Sequence, residues 1–276
     1  MTRRARPLAL ALLAGSLAAP AAALDVGDPW FDEATPGPPV RLEVAYVDLR
    51  RGVELQSQPM RLGTAASGPA VVGPTLPPVK GHAEIEHALL RLSASPTARL
   101  AGQVDIGIGG SDDDGDHLVL VGGALRVLIG ETGPLRLAAQ ASGHWISPHT
   151  ERMSGVDPSW GSFAAIQKSD YSEAGVALLG SFDAPLGEVA WLSVYGGPRF
   201  SAFGGSVDAV FDYENPIVVG GTPVGDRIWL SGETEQESLF GIVVGARVDL
   251  GDVWTLRTEA RLVEESSFTV SVGAGF

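Results

Sequence analysis

The sequence predicts an all-β protein: a closed, antiparallel, up-and-down barrel of ten strands crossing a lipid bilayer, with eight or twelve strands as alternatives. Three observations carry this. Apolar residues recur at period two, the mark of a strand with two unlike faces, in one segment after another. Short turns rich in Gly and Pro alternate along the chain with long polar connections, as in a barrel with tight turns at one end and loops at the other. Beyond the N-terminus, no run approaches the roughly 18 consecutive apolar residues of a spanning helix. The 36 Gly among 276 residues fit turns and strands better than helices.

The N-terminus comes first in the chain. Arg3, Arg4 and Arg6 precede an apolar run from Leu8 to Leu17, and Ala21-x-Ala23 offers a small-residue cleavage site. This is the layout of a secretory signal peptide over 1–23, since the run is too short to span a membrane. Residues 24–39 then form a periplasmic N-terminal segment and 40–276 the barrel. An exported chain with no cysteine has no disulfide to brace it, so its size or a closed sheet must do so. The net charge of −14 argues against a nucleic-acid partner and against electrostatic docking on anionic lipid.

The strands are expected at 40–49, 82–93, 98–109, 117–129, 135–146, 171–183, 188–202, 237–249, 253–263 and 266–276. Each approaches or exceeds the ~9–11 residues needed for a tilted crossing. In 82–93, Ile85, Ala88, Leu89 and Leu92 also fit a helical face, but Pro96 and the short link that follows favour a strand. The alternation is clearest later. Val119, Val121, Leu125, Val127 and Ile129 oppose Leu118, Leu120, Arg126 and Leu128, and Leu135, Leu137, Ala139, Ala141 and Trp145 oppose Arg136, Ala138, Gln140 and His144. Phe240, Ile242, Val244, Ala246 and Val248 oppose Gly241, Val243, Gly245, Arg247 and Asp249. Leu256, Thr258, Ala260 and Leu262 oppose Arg257, Glu259 and Arg261. The connections 50–81, 111–116, 147–170 and 203–236 are long or polar; Val53–Gly63 and Val207–Glu233 fit extra hairpins above the membrane or two further strands.

One face of each strand is free of charge across its middle, as lipid requires of a closed sheet. The other face gathers Arg41, Glu43, His87, Arg91, Asp105, Arg126, Arg136, His144, Tyr171, Glu173, Arg199, Arg247, Arg257, Glu259 and Arg261. Ten strands enclose a space that side chains largely fill, so this set reads as a salt-bridged plug before it reads as an anion-selective passage. Arg126, Arg247, Arg257, Glu259 and Arg261 are the expected lumen network.

At the end of the chain, Phe268, Val270, Val272, Ala274 and Phe276 share one face of an alternating strand that closes on an aromatic. This resembles the insertion signal of Gram-negative outer-membrane β-barrel proteins, over a strand pattern covering most of 40–276. The resemblance implies recognition by the barrel assembly machinery, insertion in the outer membrane among its lipids and lipopolysaccharide, and surface-facing loops. It identifies no ligand for those loops.

Other motifs read more plainly. Ser111-Asp112-Asp113-Asp114-Gly115-Asp116 lacks the ligand spacing of a calcium loop and reads as a solvated acidic turn. His82, His87, His117, His144 and His149 stand in no nucleophile–base–orienter order, although His144 lies near Ser142 and Ser147, and His149 near Glu151. No phosphate loop, zinc pattern or redox motif is present, so no cofactor or metal is expected. Trp145, Trp191 and Trp254, with Tyr46, Phe182, Phe200 and Phe268, fall near strand ends as interfacial girdles do. Trp160 and Trp229, inside long loops, are the candidates for a carbohydrate platform. The expected function is a non-enzymatic outer-membrane barrel with structural or interaction roles. A lipid-modifying barrel of esterase or deacylase type, a narrow anion-preferring pore and a soluble periplasmic β-protein stand as alternatives.

Overall fold

The computed structural model describes residues 40–56, 58–110, 117–157, 160–236, 239–262 and 265–276. The expected signal peptide, the segment 24–39 and the acidic run 111–116 lie outside the described residues. Thirteen strands form one sheet: β1 (Val40–Leu55), β2 (Gln58–Thr64), β3 (Gly68–Leu76), β4 (Val79–Thr97), β5 (Leu100–Gly110), β6 (His117–Thr132), β7 (Leu135–Asp157), β8 (Gly161–Pro185), β9 (Ala190–Val219), β10 (Thr222–Gln236), β11 (Phe240–Leu250), β12 (Trp254–Leu262) and β13 (Glu265–Gly275). Ten of them close a barrel of antiparallel neighbours. The circuit runs β1–β4–β5–β6–β7–β8–β9–β11–β12–β13 and returns to β1 through the β1–β13 pairing from Arg41↔Gly275 to Arg51↔Glu265. The segment 82–93, for which a helix competed, is strand throughout, paired to β1 and β5.

Burial is inverted relative to a water-soluble sheet. Val44, Ile108 and Val244 are 59%, 62% and 48% exposed on the outside, whereas Arg91 and Asp105 inside are fully buried. A β-sandwich in water hides its apolar face and exposes its charges; this wall does the reverse, which is the demand of lipid. The alternation in the sequence therefore maps directly onto wall and lumen. Leu135, Leu137, Val270 and Val272 point out; Arg136, Ala138, Thr269 and Ser271 are buried.

Two aromatic belts bound the apolar band. Phe182, Trp254 and Phe276 stand exposed at the end carrying the short turns and Val40, where the Phe276 N–H donates to the Val40 carbonyl at 3.0 Å. Tyr46, Trp145, Phe200, Phe240 and Phe268 stand exposed at the other level, with Phe200 and Phe240 edge-on at 5.4 Å. Such belts place amphipathic rings at the two membrane surfaces. Trp191 departs from the expected girdle. It shares the inward parity of Ser193 and Tyr195, both buried in the lumen. Two short turns rely on left-handed glycines, Gly133 (φ 58°) and Gly251 (φ 61°).

The expected loops 50–81, 147–170 and 203–236 are largely strand. β7, β8 and β9 continue well past the upper belt, and the pairing partners change there. On β9, β11 pairs as far as Phe200 and β10 takes over from Gly204; on β1, β13 pairs as far as Arg51 and β10 takes over from Val53. One strand thus replaces three, and the wall narrows into a cap to which β2 and β3 add a hairpin through Arg61↔Trp229. The extra hairpins extend the barrel beyond the membrane and leave its strand number at ten. The inward parity is unchanged, but its residues become apolar. Leu55, Met60, Leu62, Phe163, Val207, Phe211, Ile217, Ile228 and Leu230 form a core inside the cap. This is the largest apolar cluster among the described residues, and it lies above the membrane level rather than within it.

Candidate functional site

Every residue of the expected lumenal set is buried, from Arg41 and Glu43 on β1 to Arg261 on β12. Cross-strand register brings several of them into one continuous row. Glu43 lies opposite Arg91, Arg91 opposite Asp105, Asp105 opposite Gly122, Gly122 opposite His144 and His144 opposite Glu173. Neighbours in such a row stand ~5 Å apart on one face, within reach of long polar side chains.

Acids and guanidinium groups interleave along the lumen. Arg91 Nε donates to Asp105 Oδ1 at 2.7 Å, and Gln103 Nε2 donates to Asp105 Oδ2 at 2.6 Å. Arg126 Nε donates to Gln140 Oε1 at 2.6 Å, and its Nη2 reaches Gln103 Oε1. Glu43 Oε2 accepts from Arg257 Nη2 at 2.7 Å and from the Ser271 hydroxyl at 3.1 Å, with Arg91 Nη1 4.0 Å away. Glu259 accepts from the Tyr195 hydroxyl at 2.9 Å and from Arg261 Nε at 3.2 Å. Nearer the turn end, Asp249 lies between Arg41 at 3.2 Å and Arg247 at 3.0 Å and accepts from the Thr255 hydroxyl at 2.7 Å. Arg136 pairs with Asp183 at 2.9 Å, and Arg199 pairs with Glu173.

The five expected network residues share the lumen, and each makes short contacts to buried acids, amides or hydroxyls there. Arg126 works through glutamines, Arg247 through Asp249, Arg257 through Glu43, and Arg261 through Glu259. Gln103, Asp183 and Tyr195 complete these contacts and were absent from the sequence-based set. Strand parity was the available signal, because Tyr195 shares the face of Arg199. Asp183 closes the expected strand 171–183, and because the strand runs on to Pro185 its carboxylate keeps the inward parity that meets Arg136.

Glycine makes room for the largest groups. A Cβ on Gly122 would overlap the His144 ring, and one on Gly245 would overlap the Tyr195 ring. Gly245→Ala must therefore displace Tyr195 and its bond to Glu259. A loss of about 1–3 kcal/mol is expected, the usual cost of overpacking, read as a lower unfolding temperature in detergent. A Gly245→Ala/Tyr195→Leu pair should lose less than the sum of its single changes.

His144 lies with its Nε2 3.9 Å from Asp105 Oδ2, inside the lumen and away from any strand-top position. The side chains of His82, His117 and His149 lie outside the described residues. In the cap, Trp160 meets Tyr213 edge-on at 5.5 Å and packs against the apolar core, so it builds the cap instead of offering a platform. Burial, and secondarily the Asp157 carboxylate, hold the Tyr213 phenol above its ordinary pKa. Trp229 faces outward with the Arg227 guanidinium 5.8 Å from its ring centre.

No family model matches the chain, and no curated protein matches it. Among solved structures, the chain is similar to the translocator domain of autotransporter NalP from Neisseria meningitidis, at 13% identity and a TM-score of 0.42, covering 89% of this chain and 91% of that one. It is also similar to the Pseudomonas putida toluene transporter TodX, at 8% identity and a TM-score of 0.29, covering 86% and 88%. A Pseudomonas aeruginosa FadL homologue follows at 8% identity and 0.26, covering 85% and 89%.

Proposed function

We propose that this chain is an integral outer-membrane β-barrel of a Gram-negative bacterium, exported with cleavage near Ala23, whose lumen is closed by its own side chains and whose cap presents a folded surface to the exterior. The single observation that carries the closed lumen is the filling of the barrel interior by buried acid–arginine clusters centred on Arg91, Asp105 and Glu259. Arginine suits this role because its planar, permanently ionised fork makes several charge-assisted bonds at once. The apolar core of the cap supports the same reading, since it places packed side chains over the lumen at the loop end. On this reading the protein has no enzymatic role and acts through its surface. The final strand, with Phe268, Val270, Val272, Ala274 and Phe276 along one face, is the segment offered to the barrel assembly machinery, and outer-membrane lipids surround the apolar band.

Purified protein in planar bilayers should conduct poorly, while its unboiled form migrates differently from its boiled form on a gel. Large, steady, ion-selective channels from the wild-type protein would replace the closed-lumen reading with a porin.

A further inference from the structure

The outward face of the cap carries a row of exposed and half-buried side chains that register aligns across five strands. Arg61 on β2 lies opposite Trp229 on β10, Trp229 opposite Val210 on β9, Val210 opposite Ile166 on β8, and Ile166 opposite Arg152 on β7. Their neighbours along each strand, such as Met60, Leu62, Ile228, Ala209 and Ala165, point into the cap core, so the parity of the row is outward. Four strand spacings of ~4.8 Å set Arg61 and Arg152 about 19 Å apart, with an aromatic and two aliphatic side chains between them.

The charges of this face are unevenly matched. Arg227 pairs with Asp212 and lies over Trp229, and Lys168 stands opposite Asp208. Arg61 and Arg152 are exposed and make no ion pair among the described residues. The row continues past Arg61 to the exposed Val72 on β3, and its apolar middle, braced by a cation–π contact, lies between two guanidinium groups that make no ion pair among the described residues.

Height selects the occupant. Val210 lies farther along β9 than Phe200 of the upper belt; at ~3.3 Å per residue and a tilt of ~40°, it stands roughly 25 Å beyond that belt. A barrel wall continued to that height faces sideways, parallel to the membrane, into whatever layer coats the lipid. Resting on the outer-membrane reading above, that layer is the phosphorylated oligosaccharide of lipopolysaccharide. The chemistry is complementary. Arginine forks take phosphate and carboxylate oxygens in pairs, and an indole beside aliphatic side chains suits the C–H faces of sugar rings. A second copy of this chain fits less well. Stable dimers bury ~800 Å² per partner over an apolar centre, whereas this apolar strip is one residue deep and is bordered by Arg227, Asp212, Asp208 and Lys168. We infer that the row Arg61–Trp229–Val210–Ile166–Arg152 is a binding surface for the anionic core saccharide of the surrounding lipopolysaccharide.

The test compares wild-type full-length protein in detergent micelles with R61Q/R152Q and W229A variants, each first shown to keep its heat-modifiable gel mobility. Probes are purified lipopolysaccharide bearing a phosphorylated core, the same material dephosphorylated, and lipid A without core sugars. Wild-type protein should bind the phosphorylated core form at least tenfold more tightly than the other two, with affinity falling as salt rises. Both variants should lose that preference while binding lipid A as wild type does. Equal wild-type affinity for all three probes would overturn the assignment, as would variants that keep the preference. So would a concentration-dependent dimer abolished by W229A, which would make the row a contact between copies. Cell fractionation tests the membrane assignment separately: a protein recovered from the periplasmic wash defeats that reading whatever the binding assay returns.

Discussion

Asp105→Ala is expected to lower the stability of the folded barrel by about 3–5 kcal/mol, the usual consequence of removing one partner of a buried ion pair. Asp105 is fully buried and accepts from Arg91 Nε at 2.7 Å and Gln103 Nε2 at 2.6 Å. Without it, Arg91 loses its 2.7 Å charge-assisted bond in a site with no water-exposed surface, and Glu43, 4.0 Å away, is too distant to replace it. Water entering the vacated space would offset part of the loss and open a path, so conductance should rise together with the fall in thermal resistance. Replacing both partners, as Arg91→Met/Asp105→Leu, should recover most of the stability, because a packed apolar pair carries no uncompensated charge. Unfolding followed by gel mobility against temperature reads the first effect, and single-channel recording reads the second. An Asp105→Ala barrel as heat-resistant as wild type would show that the lumen is wet enough to screen its charges.

Val244→Arg should block assembly, since a charge at the bilayer midplane of a barrel costs about 2–4 kcal/mol. Val244 lies on β11 between the level of Phe240 and that of Leu250 and faces outward, 48% exposed. Val156→Arg is the matched control. Val156 also faces outward, at 71% exposure, but it sits on the stretch of β7 beyond Trp145 and should accept arginine freely. Val121→Arg falls between the two, because register sets Val121 beside Trp145 in the upper belt, where a long side chain reaches the interface. The measurement is the yield of heat-modifiable protein in the membrane fraction. Equal yields for the Val244 and Val156 variants would mean that the band does not lie in lipid.

Period-two alternation was enough to assign the faces of β5 through β8 and β11 through β13 within the membrane. A strand has only two faces, and lipid accepts no charge on one of them. That is why the sequence alone places Arg126, Arg136, Arg247, Arg257, Glu259 and Arg261 in the lumen, and all are buried there. The same logic reaches Val207, Ala209, Phe211 and Tyr213, whose alternation continues that of β9, but it does not say which side of the membrane surface they occupy. Apolar inward residues look alike whether they line a cap core or a wall, so 203–236 read as a loop with hairpins.

Partner choice was beyond reach in sequence for a different reason. Parity selects a face and leaves the register free, and register decides that Glu43 meets Arg257 and Arg91, that Glu259 meets Tyr195, and that Gly122 and Gly245 sit where large rings need room. It also decides the outer surface of the cap. Arg61 and Arg152 are far apart in the chain and come into one row only because β10 crosses from β9 to β1 above β11–β13 and carries the β2–β3 hairpin with it. Alternation is a local property, set residue by residue by which face meets lipid. Pairing across strands depends on how the whole sheet closes, and only the tertiary structure determines that.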